Sequence, residues 1–309
     1  MQHTGDIMRS PLKRYDGNPI LTPDSMPFEC YTVFNAGAVK ANDEYILILR
    51  TECYARKTSF YVARSKNGID FTVDENPINY PLSDLERMGS RAHRFDMRIT
   101  PLDGIFYVCH AVWLDPWGCC VGIAKTGDFI NFEQVSMSVP SNRNAVLFPK
   151  KINGKYVRME RPQNVDKTGH MWISESPDLI HWGNPRPVIL PYTDWSTIKS
   201  GAGAVPIKTD RGWLEIYHAT CVTASTENYH LGVCLLDLDD PSKVIAAPER
   251  FILAAEKDYE CVGQVPNVVF TSGAIVEPDG EVKIYYGGAD TRMCLATAQL
   301  DDLIDFCFS

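Results

Sequence analysis

The chain has 309 residues, of which 45% are hydrophobic and 22% charged, and this is the composition of a soluble globular protein. Its formal net charge of −9 argues against a nucleic-acid or anionic-membrane partner, because both would repel it. No run approaches the roughly 20 apolar residues of a membrane-spanning helix, and residues 1–17 lack the apolar core of a signal peptide. The ten cysteines show neither disulfide-like nor metal-like spacing. We therefore expect a cytoplasmic protein without a metal.

Short runs rich in β-branched and aromatic residues recur along the chain, bounded by Gly, Pro, Asn and Asp, which is typical of antiparallel strands. In chain order these runs are EYILILR (44–50), TSFYVAR (58–64), GIFYVCHAVW (104–113), KYVRME (155–160), GWLEIYHA (212–219), YHLGVCLLDL (229–238) and EVKIYYGG (281–288). A helical pattern is confined to the short stretch at 82–89. The sequence therefore predicts an all-β fold.

A repeat organises these runs. Its first part is a pair of strands joined by a polar turn: KANDEY (40–45), TPLDGI (100–105), KINGKY (151–156), KTDRGW (208–213) and EPDGEV (277–282). Its second part is an acidic or Gly-bearing turn with an aromatic tail: SKNGIDF (65–71), KTGDFINF (125–132), SPDLIHW (176–182), LDDLIDF (300–306) and, more weakly, DLDDPSKV (237–244). Five copies predict a single five-bladed β-propeller over residues 1–309, with about four strands per blade. Two stacked sandwiches would not explain five matching turns. We expect residues 14–21 to supply a strand that helps close the ring.

Polar residues at matching places in the repeats should converge on the central channel of such a propeller. On the innermost strands these are Asn35, Asp96, the pair Arg143 and Asn144, and Lys199. On the next strands, and at the end of the last pair, they are Arg50, His110, Arg161, His218 and Asp290. So many polar side chains at one place predict a functional site rather than surface decoration.

The cluster divides by charge. Arg143, Arg161, Lys199 and His218 come from blades three and four and should meet on one side of the channel. Arginine presents a planar fork that matches phosphate or carboxylate, and lysine adds a point charge. Because like charges destabilise one another in a half-desolvated site, this side predicts an anionic ligand. Asp96, by contrast, is the leading candidate for an acid.

Six segments, FNAGAV, RFDMRIT, ERP, IKSGAGAVPI, IYHAT and YYGGAD, together with SKNGIDF, resemble the glycoside hydrolase family 130 mannoside phosphorylases over roughly residues 14–306. The resemblance implies a five-bladed propeller that cleaves β-mannosides with inorganic phosphate as co-substrate, with inversion, giving α-mannose 1-phosphate. It implies that Asp96 is the general acid, its proton reaching the glycosidic oxygen through the sugar 3-hydroxyl. It places phosphate at Arg143, Arg161, Lys199 and His218, and mannose at Asn35, Arg50 and Asp290. No further cofactor is implied.

The residues themselves also favour phosphorolysis. An inverting hydrolase needs a second carboxylate, roughly 6.5–9.5 Å from the acid, to activate water. The blade-one position that could hold this base is Asn35, which cannot accept a proton as a carboxylate does. Phosphate is already an anionic nucleophile and needs cations rather than a base.

Two alternatives stay open. One is a hydrolase of mannosides, arabinosides or xylosides, for which Glu160 and Glu215 are the candidate bases. The other is a sugar-binding propeller without catalysis. His110 is interpreted as a core residue, whereas Trp113 and Trp117 could stack on a sugar or pack between blades. FNAGAV lacks the Ser that many relatives have after the Asn, and the loop at 52–59 is unusual. The linkage (β-1,2 or β-1,4), the acceptor and a homo-oligomeric state therefore stay open.

Overall fold

The computed structural model describes residues 10–224 and 226–309. In these residues five antiparallel sheets are arranged as the blades of a β-propeller, which confirms the predicted fold class. In blades one to three the strands pair in chain order, and the innermost strands contact one another around the channel.

The elements follow the chain blade by blade. Strand β1 (Lys13–Arg14) and a 3-10 turn (Pro23–Ser25) precede blade one, whose strands are β2 (Thr32–Ala41), β3 (Glu44–Glu52), β4 (Thr58–Ser65) and β5 (Thr72–Val73). After helix α1 (Asp84–Met88), blade two consists of β6 (Arg91–Leu102), β7 (Ile105–Asp115), β8 (Gly118–Thr126) and β9 (Glu133–Met137). Blade three consists of β10 (Asn142–Leu147), β11 (Tyr156–Pro162), β12 (Trp172–Ser176) and β13 (Gly183–Pro187).

Blade four is the largest sheet, with β14 (Lys199–Ala202), β15 (Ile207–Lys208), β16 (Trp213–Val222), β17 (Glu227–Leu236), β18 (Val244–Ala246) and β19 (Leu253–Ala254). Helix α2 (Asp258–Cys261) leads to blade five, which has β20 (Val269–Val276), β21 (Glu281–Gly288) and β22 (Arg292–Gln299), and helix α3 (Leu300–Phe306) follows. The short helical pattern at 82–89 corresponds to α1, whose N-cap is Ser83.

The repeated acidic turns lie between the third and fourth strands of their blades. In blades one to three, Asn67, Asp128 and Asp178 each accept hydrogen bonds from the backbone N–H groups two and three residues later, the geometry of an Asx turn. The copy at 300–306 is different, and its interpretation as a turn was wrong. It forms α3, because its apolar side chains Leu303, Ile304 and Phe306 are buried in the core.

The apolar core lies between neighbouring blades. Between blades one and two, for example, Ile46 and Ile48 of β3 belong to the same buried cluster as Met97 and Ile99 of β6. Every second residue of a strand faces the same side of its sheet, so each blade presents one apolar face to each neighbour. This packing fixes the blades around the channel and with them the side chains that line it.

The fourth strand of blade five comes from the other end of the chain. Strand β1 pairs antiparallel with β22, and Leu21 forms a further bridge with Met293. Arg14 anchors this strand with a two-pronged ion pair to the fully buried carboxylate of Glu260, with Nε–Oε1 at 2.8 Å and Nη2–Oε2 at 3.0 Å. The first and last parts of the described chain are thus joined in one sheet.

We predict that Arg14→Met lowers the free energy of unfolding by about 3 kcal/mol, because it leaves a buried carboxylate without its cation. Chemical denaturation followed by tryptophan fluorescence measures the change. Lys13→Met, at the neighbouring exposed position of the same strand, is the matched control and should change stability by less than about 0.5 kcal/mol. Equal effects of the two substitutions would contradict this role of Arg14.

Candidate active site

The same backbone irregularity occurs on the innermost strands of blades one, two and three. The register of each shifts by a β-bulge, at 35–36, 96–97 and 144–145. The first residue of each bulge has a positive φ: 49° at Asn35, 55° at Asp96 and 51° at Asn144. Asn and Asp tolerate this left-handed conformation better than other residues with a side chain. The bulges therefore explain why polar residues occur at these three points of otherwise apolar strands.

Two of these bulge residues meet in the channel. Asn35 donates a hydrogen bond from Nδ2 to Oδ1 of Asp96 at 3.0 Å, and both residues are only 4% exposed. Nη1 of Arg50 lies 3.2 Å from the same oxygen, while its Nη2 binds Oε1 of Glu52 at 2.9 Å. Three of the residues expected at the sugar site are thus in direct contact.

These contacts control the charge of Asp96. Burial by itself raises the pKa of this carboxyl, but the charges of Arg50, Arg98 and Arg143 and the hydrogen bond from Asn35 outweigh burial and hold the pKa below its usual value. The carboxylate is consequently ionised at neutral pH in the unliganded protein. To act as an acid it must gain a proton as ligands bind.

An open cavity of about 380 Å³ lies beside this group. Its lining residues are Arg50, Arg91, His93, Phe95, Trp113, Asp115, Arg143 and Asp290. A volume of this size suits a small ligand. Asp290 has a positive φ of 48°, and burial, with repulsion from Asp96 and Glu52, raises its pKa to about 7 despite Arg50 and Arg143. The cavity therefore offers a carboxyl that can be neutral near neutral pH, together with three arginines.

A second group of cations follows on the side of blades three and four. Arg161 is 2% exposed and donates from Nη1 to Nε2 of His218 at 3.2 Å. Burial, and then the nearby charge of Arg143, lower the pKa of Arg161 to about 9. Neither Arg143 nor Arg161 forms an ion pair with a carboxylate within residues 10–224 and 226–309. An unpaired buried cation is costly, so this arrangement favours a bound anion.

His218 adds a neutral donor to the group. Burial lowers its pKa well below the usual value, and the charges of Arg161, Arg98, Arg143 and Lys199 act in the same direction. Because arginine can only donate, Nε2 accepts the bond from Arg161 and the proton resides on Nδ1. That Nδ1 is buried and has no partner among the described residues. With Nε2 occupied by Arg161, Nδ1 is the ring N–H that His218 can still donate.

Lys199 belongs to the same region, but its charge is shared. Its Nζ lies 2.6 Å and 2.8 Å from the two carboxylate oxygens of Glu227 and 5.9 Å from the ring centroid of Tyr229. Burial lowers the pKa of this ammonium, Glu227 opposes the shift, and Arg161 and Arg143 add to it. Of the four residues expected to bind phosphate, Lys199 alone is ion-paired.

Neither candidate base for hydrolysis is available. Glu160 is buried and fully engaged, by Nη2 of Arg158 at 2.7 Å, Nδ2 of Asn142 at 2.7 Å and the hydroxyl of Ser174. Glu215 is fully buried, accepts from the backbone N–H of Gly203 at 3.1 Å, and has a pKa raised well above its usual value by burial. Neither residue lines the cavity. Neither glutamate is therefore placed to activate water in this cavity.

The positions of His110, Trp113 and Trp117 distinguish core residues from residues that could contact a ligand. His110 is fully buried, contacts the hydroxyl of Tyr80 at 2.7 Å, and has a pKa lowered to about 3 by burial and by Arg94. It therefore lies in the core. Trp113 lines the cavity and donates from Nε1 to Asp115 at 2.7 Å, whereas Trp117 is 43% exposed and does not line it. Of the two tryptophans, only Trp113 is placed to contact a ligand there.

Of the pair that the sequence places here, Asn144 rather than Arg143 occupies the bulge position equivalent to Asp96. Sequence reasoning did not single out three further residues that matter here. Arg98 donates to the carbonyls of Gly203, Asp96 and Ala202, all within 2.9 Å. The others are Tyr229 and Glu227, which no signal in the repeat marks.

No helix among the described residues is long and apolar enough to cross a membrane. In the same part of the chain, no group of three or more His, Cys, Asp or Glu side chains is arranged to hold a metal ion.

Comparison with known proteins gives a consistent result. A family model described as beta-1,4-mannooligosaccharide phosphorylase matches residues 2–309. A beta-1,4-mannooligosaccharide phosphorylase of Ruminococcus albus is 36% identical over 95% of this chain and 90% of its own length. A 1,2-beta-oligomannan phosphorylase of Thermoanaerobacter sp. is 36% identical over 94% of this chain and 98% of its own length. The solved structure of a beta-1,2-mannobiose phosphorylase from Listeria innocua, in complex with beta-1,2-mannobiose, superposes with a TM-score of 0.84 at 28% identity, covering 96% of this chain and 99% of that one.

The five-bladed fold and these relatives define a carbohydrate-active propeller enzyme. The chain belongs to glycoside hydrolase family 130, which confirms the resemblance found in the sequence.

We predict that phosphate stabilises the protein through the unpaired cations. Ligand at a hundred times its dissociation constant adds about 2.7 kcal/mol to the free energy of unfolding, so the melting temperature should rise with phosphate concentration. Arg161→Met should abolish most of this rise and should be at least as stable as the wild type without phosphate, because it removes an uncompensated buried charge. Differential scanning fluorimetry measures both effects. Arg186→Met, at an arginine paired with Glu175, should keep the full response; a full response in Arg161→Met would exclude that residue from the anion site.

We further predict a pH-dependent contribution of Asp290 to stability. An unfolded aspartate ionises near pH 4, whereas the native carboxyl has a pKa of about 7. Its stabilising contribution is therefore fully present below about pH 4 and is lost as the pH rises through 7. Asparagine stays neutral and tolerates the same φ. The melting temperature of Asp290→Asn minus that of the wild type should therefore increase by several degrees from pH 5 to pH 8. A difference that is the same at both pH values would contradict the raised pKa.

Proposed function

We propose that this protein is an inverting phosphorylase that cleaves β-linked manno-oligosaccharides with inorganic phosphate and releases α-mannose 1-phosphate. The observation that carries the proposal is the pairing of one buried carboxylate, Asp96, with a group of unpaired cations and donors across the channel. The relatives named above, mannoside phosphorylases that match more than nine-tenths of this chain, support the substrate class.

In this proposal Asn35, Arg50 and Asp290 hold the mannose ring whose bond is cleaved. Phosphate binds to Arg143, Arg161, His218 and Lys199, and one of its oxygens attacks the anomeric carbon on the face opposite the glycosidic oxygen. As the new C–O bond forms, the glycosidic bond breaks, and the leaving oxygen takes up the proton of Asp96 by way of the 3-hydroxyl of the mannose. Attack from the opposite face inverts the configuration, from β-mannoside to α-mannose 1-phosphate.

Electrostatics supports a proton on Asp96 at the right moment. In the free protein the cations, Arg143 among them, hold the pKa of Asp96 low. A bound phosphate anion cancels part of that positive field, and an approaching negative charge raises the pKa of a carboxyl. Phosphate binding would thus favour the protonated acid that the reaction needs.

We also propose a domain organisation, a location and a partner class for the enzyme. We take residues 1–309 as one catalytic domain acting in the cytoplasm, without a nucleic-acid or membrane partner, on the composition and charge of the chain. A homo-oligomer is compatible with it.

The test is an assay with β-1,4- and β-1,2-linked manno-oligosaccharides, with and without phosphate. Mannose 1-phosphate should form only when phosphate is present, and ³¹P NMR of the initial product should show the α anomer. Free mannose released at the same rate with and without phosphate would establish a hydrolase instead, and no turnover of any glycoside would favour a sugar-binding protein.

We predict that Asp96→Asn lowers kcat by about 10²–10⁴-fold, the usual contribution of a general acid, in a protein that still adopts the native fold. Asparagine suits the substituted position because Asn35 and Asn144 adopt the same bulge conformation. Steady-state kinetics with circular dichroism as a folding control measures this. A normal rate in Asp96→Asn would refute the assignment of the acid.

A further inference from the structure

A carboxylate lies at the edge of the cation group, where an anion site would not be expected to have one. Glu227 begins β17, and Tyr229 lies two residues further along on the same face of that strand. Across the sheet, Thr220 of β16 pairs with Tyr229 on one side and with Lys199 of β14 on the other. Glu227, Lys199 and Tyr229 are therefore brought together by the regular pairing of three strands.

Glu227 holds Lys199 with both carboxylate oxygens, at 2.6 Å and 2.8 Å. The carboxylate is 30% exposed and forms no second ion pair within the part of the chain that the structure describes. The carboxylate can therefore accept a further hydrogen bond beside Nζ of Lys199. Its negative charge also acts on Arg161 and Tyr229, which places it beside the same group.

We infer that Glu227 is a specificity-determining residue that selects a protonated tetrahedral anion, such as hydrogen phosphate, over an unprotonated one of similar size, such as sulfate. The inference rests on the proposed function, because it concerns the anion that this function uses as co-substrate.

The physical reason is the difference between a hydrogen bond and a repulsion at one oxygen. An anion that contacts Nζ of Lys199 must bring an oxygen close to Glu227, which binds the same nitrogen. If that oxygen carries a proton, it donates to the carboxylate in a charge-assisted hydrogen bond. If it does not, two negative oxygens face each other in a partly desolvated site and both lose hydration without a partner. Phosphate and arsenate carry a proton at neutral pH, whereas sulfate carries none.

The substitution that isolates this effect is Glu227→Gln. Glutamine keeps the size of the side chain and can still accept a bond from Lys199, but it removes the negative charge and can donate to an anion. Two readouts apply: protection against thermal unfolding by phosphate, arsenate and sulfate, and inhibition of phosphate-dependent cleavage by sulfate. Glu175→Gln is the matched control, because Glu175 is also a paired carboxylate, bound to Lys155 and Arg186 in blade three.

In the wild type and in Glu175→Gln, we expect phosphate and arsenate to protect at concentrations at least about tenfold lower than sulfate, the ratio that corresponds to 1.4 kcal/mol. In Glu227→Gln the sulfate concentration should approach that of phosphate, and sulfate should become an effective inhibitor. Lys199→Met should weaken all three anions together, because it removes attraction rather than discrimination.

The outcomes separate this inference from the proposed function. Phosphate-dependent cleavage combined with unchanged anion selectivity in Glu227→Gln would overturn the role of Glu227 and leave the phosphorylase standing. Selective protection by phosphate that Glu227→Gln abolishes, in a protein that cleaves without phosphate, would overturn the phosphorylase and leave the anion selection standing. Equal protection by sulfate and phosphate in the wild type would also overturn the inference.

Discussion

The channel depends on one backbone device, the β-bulge that interrupts the innermost strands of blades one to three. A regular strand would direct alternate side chains to its two faces and into the apolar packing between blades. The bulge adds a residue with positive φ, and at 35, 96 and 144 that residue is polar. The bulged residue has no partner in the strand ladder, so its side chain can point toward the channel while the rest of the strand stays packed. Asp96 is buried without lying in an apolar core for this reason.

The charged side chains around these bulges differ between the two sides of the channel. On one side the carboxylates of Glu52 and Asp96 share the positive charge of Arg50. On the other side Arg143 and Arg161 have no carboxylate of their own, and His218 is held neutral with an unpaired Nδ1. This imbalance lies inside a protein whose net charge is −9. It persists because packing of blades three and four fixes the arginines, and a bound anion would relieve it.

The fold and the positions of most candidate site residues could be predicted from the sequence because both recur in the repeat. Strand pairs and acidic turns recur with regular spacing, so the propeller and the inward positions of Asn35, Asp96, Arg161 and His218 could be predicted by alignment of the copies. The prediction that was wrong and the residue that was missed both concern features that depart from the repeat. The copy at 300–306 forms a helix because its apolar residues have helical spacing. The fourth strand of blade five is already provided by β1. Glu227 was missed because its contact with Lys199 arises from pairing across three strands, and one-dimensional spacing does not reveal such pairing.

Arg98 connects the two halves of the site. Its guanidinium is fully buried and donates to the backbone carbonyl of Asp96 at 2.9 Å and to those of Ala202 and Gly203 on blade four. A side chain at Gly203 would collide with the backbone of Ile216, since a Cβ there would lie 2.3 Å from its carbonyl oxygen. The strand that carries Lys199 is therefore held at a fixed distance from the bulge that carries Asp96. Because in-line displacement needs nucleophile and acid on opposite sides of one bond, this rigid link across the channel sets the geometry that the proposed reaction requires.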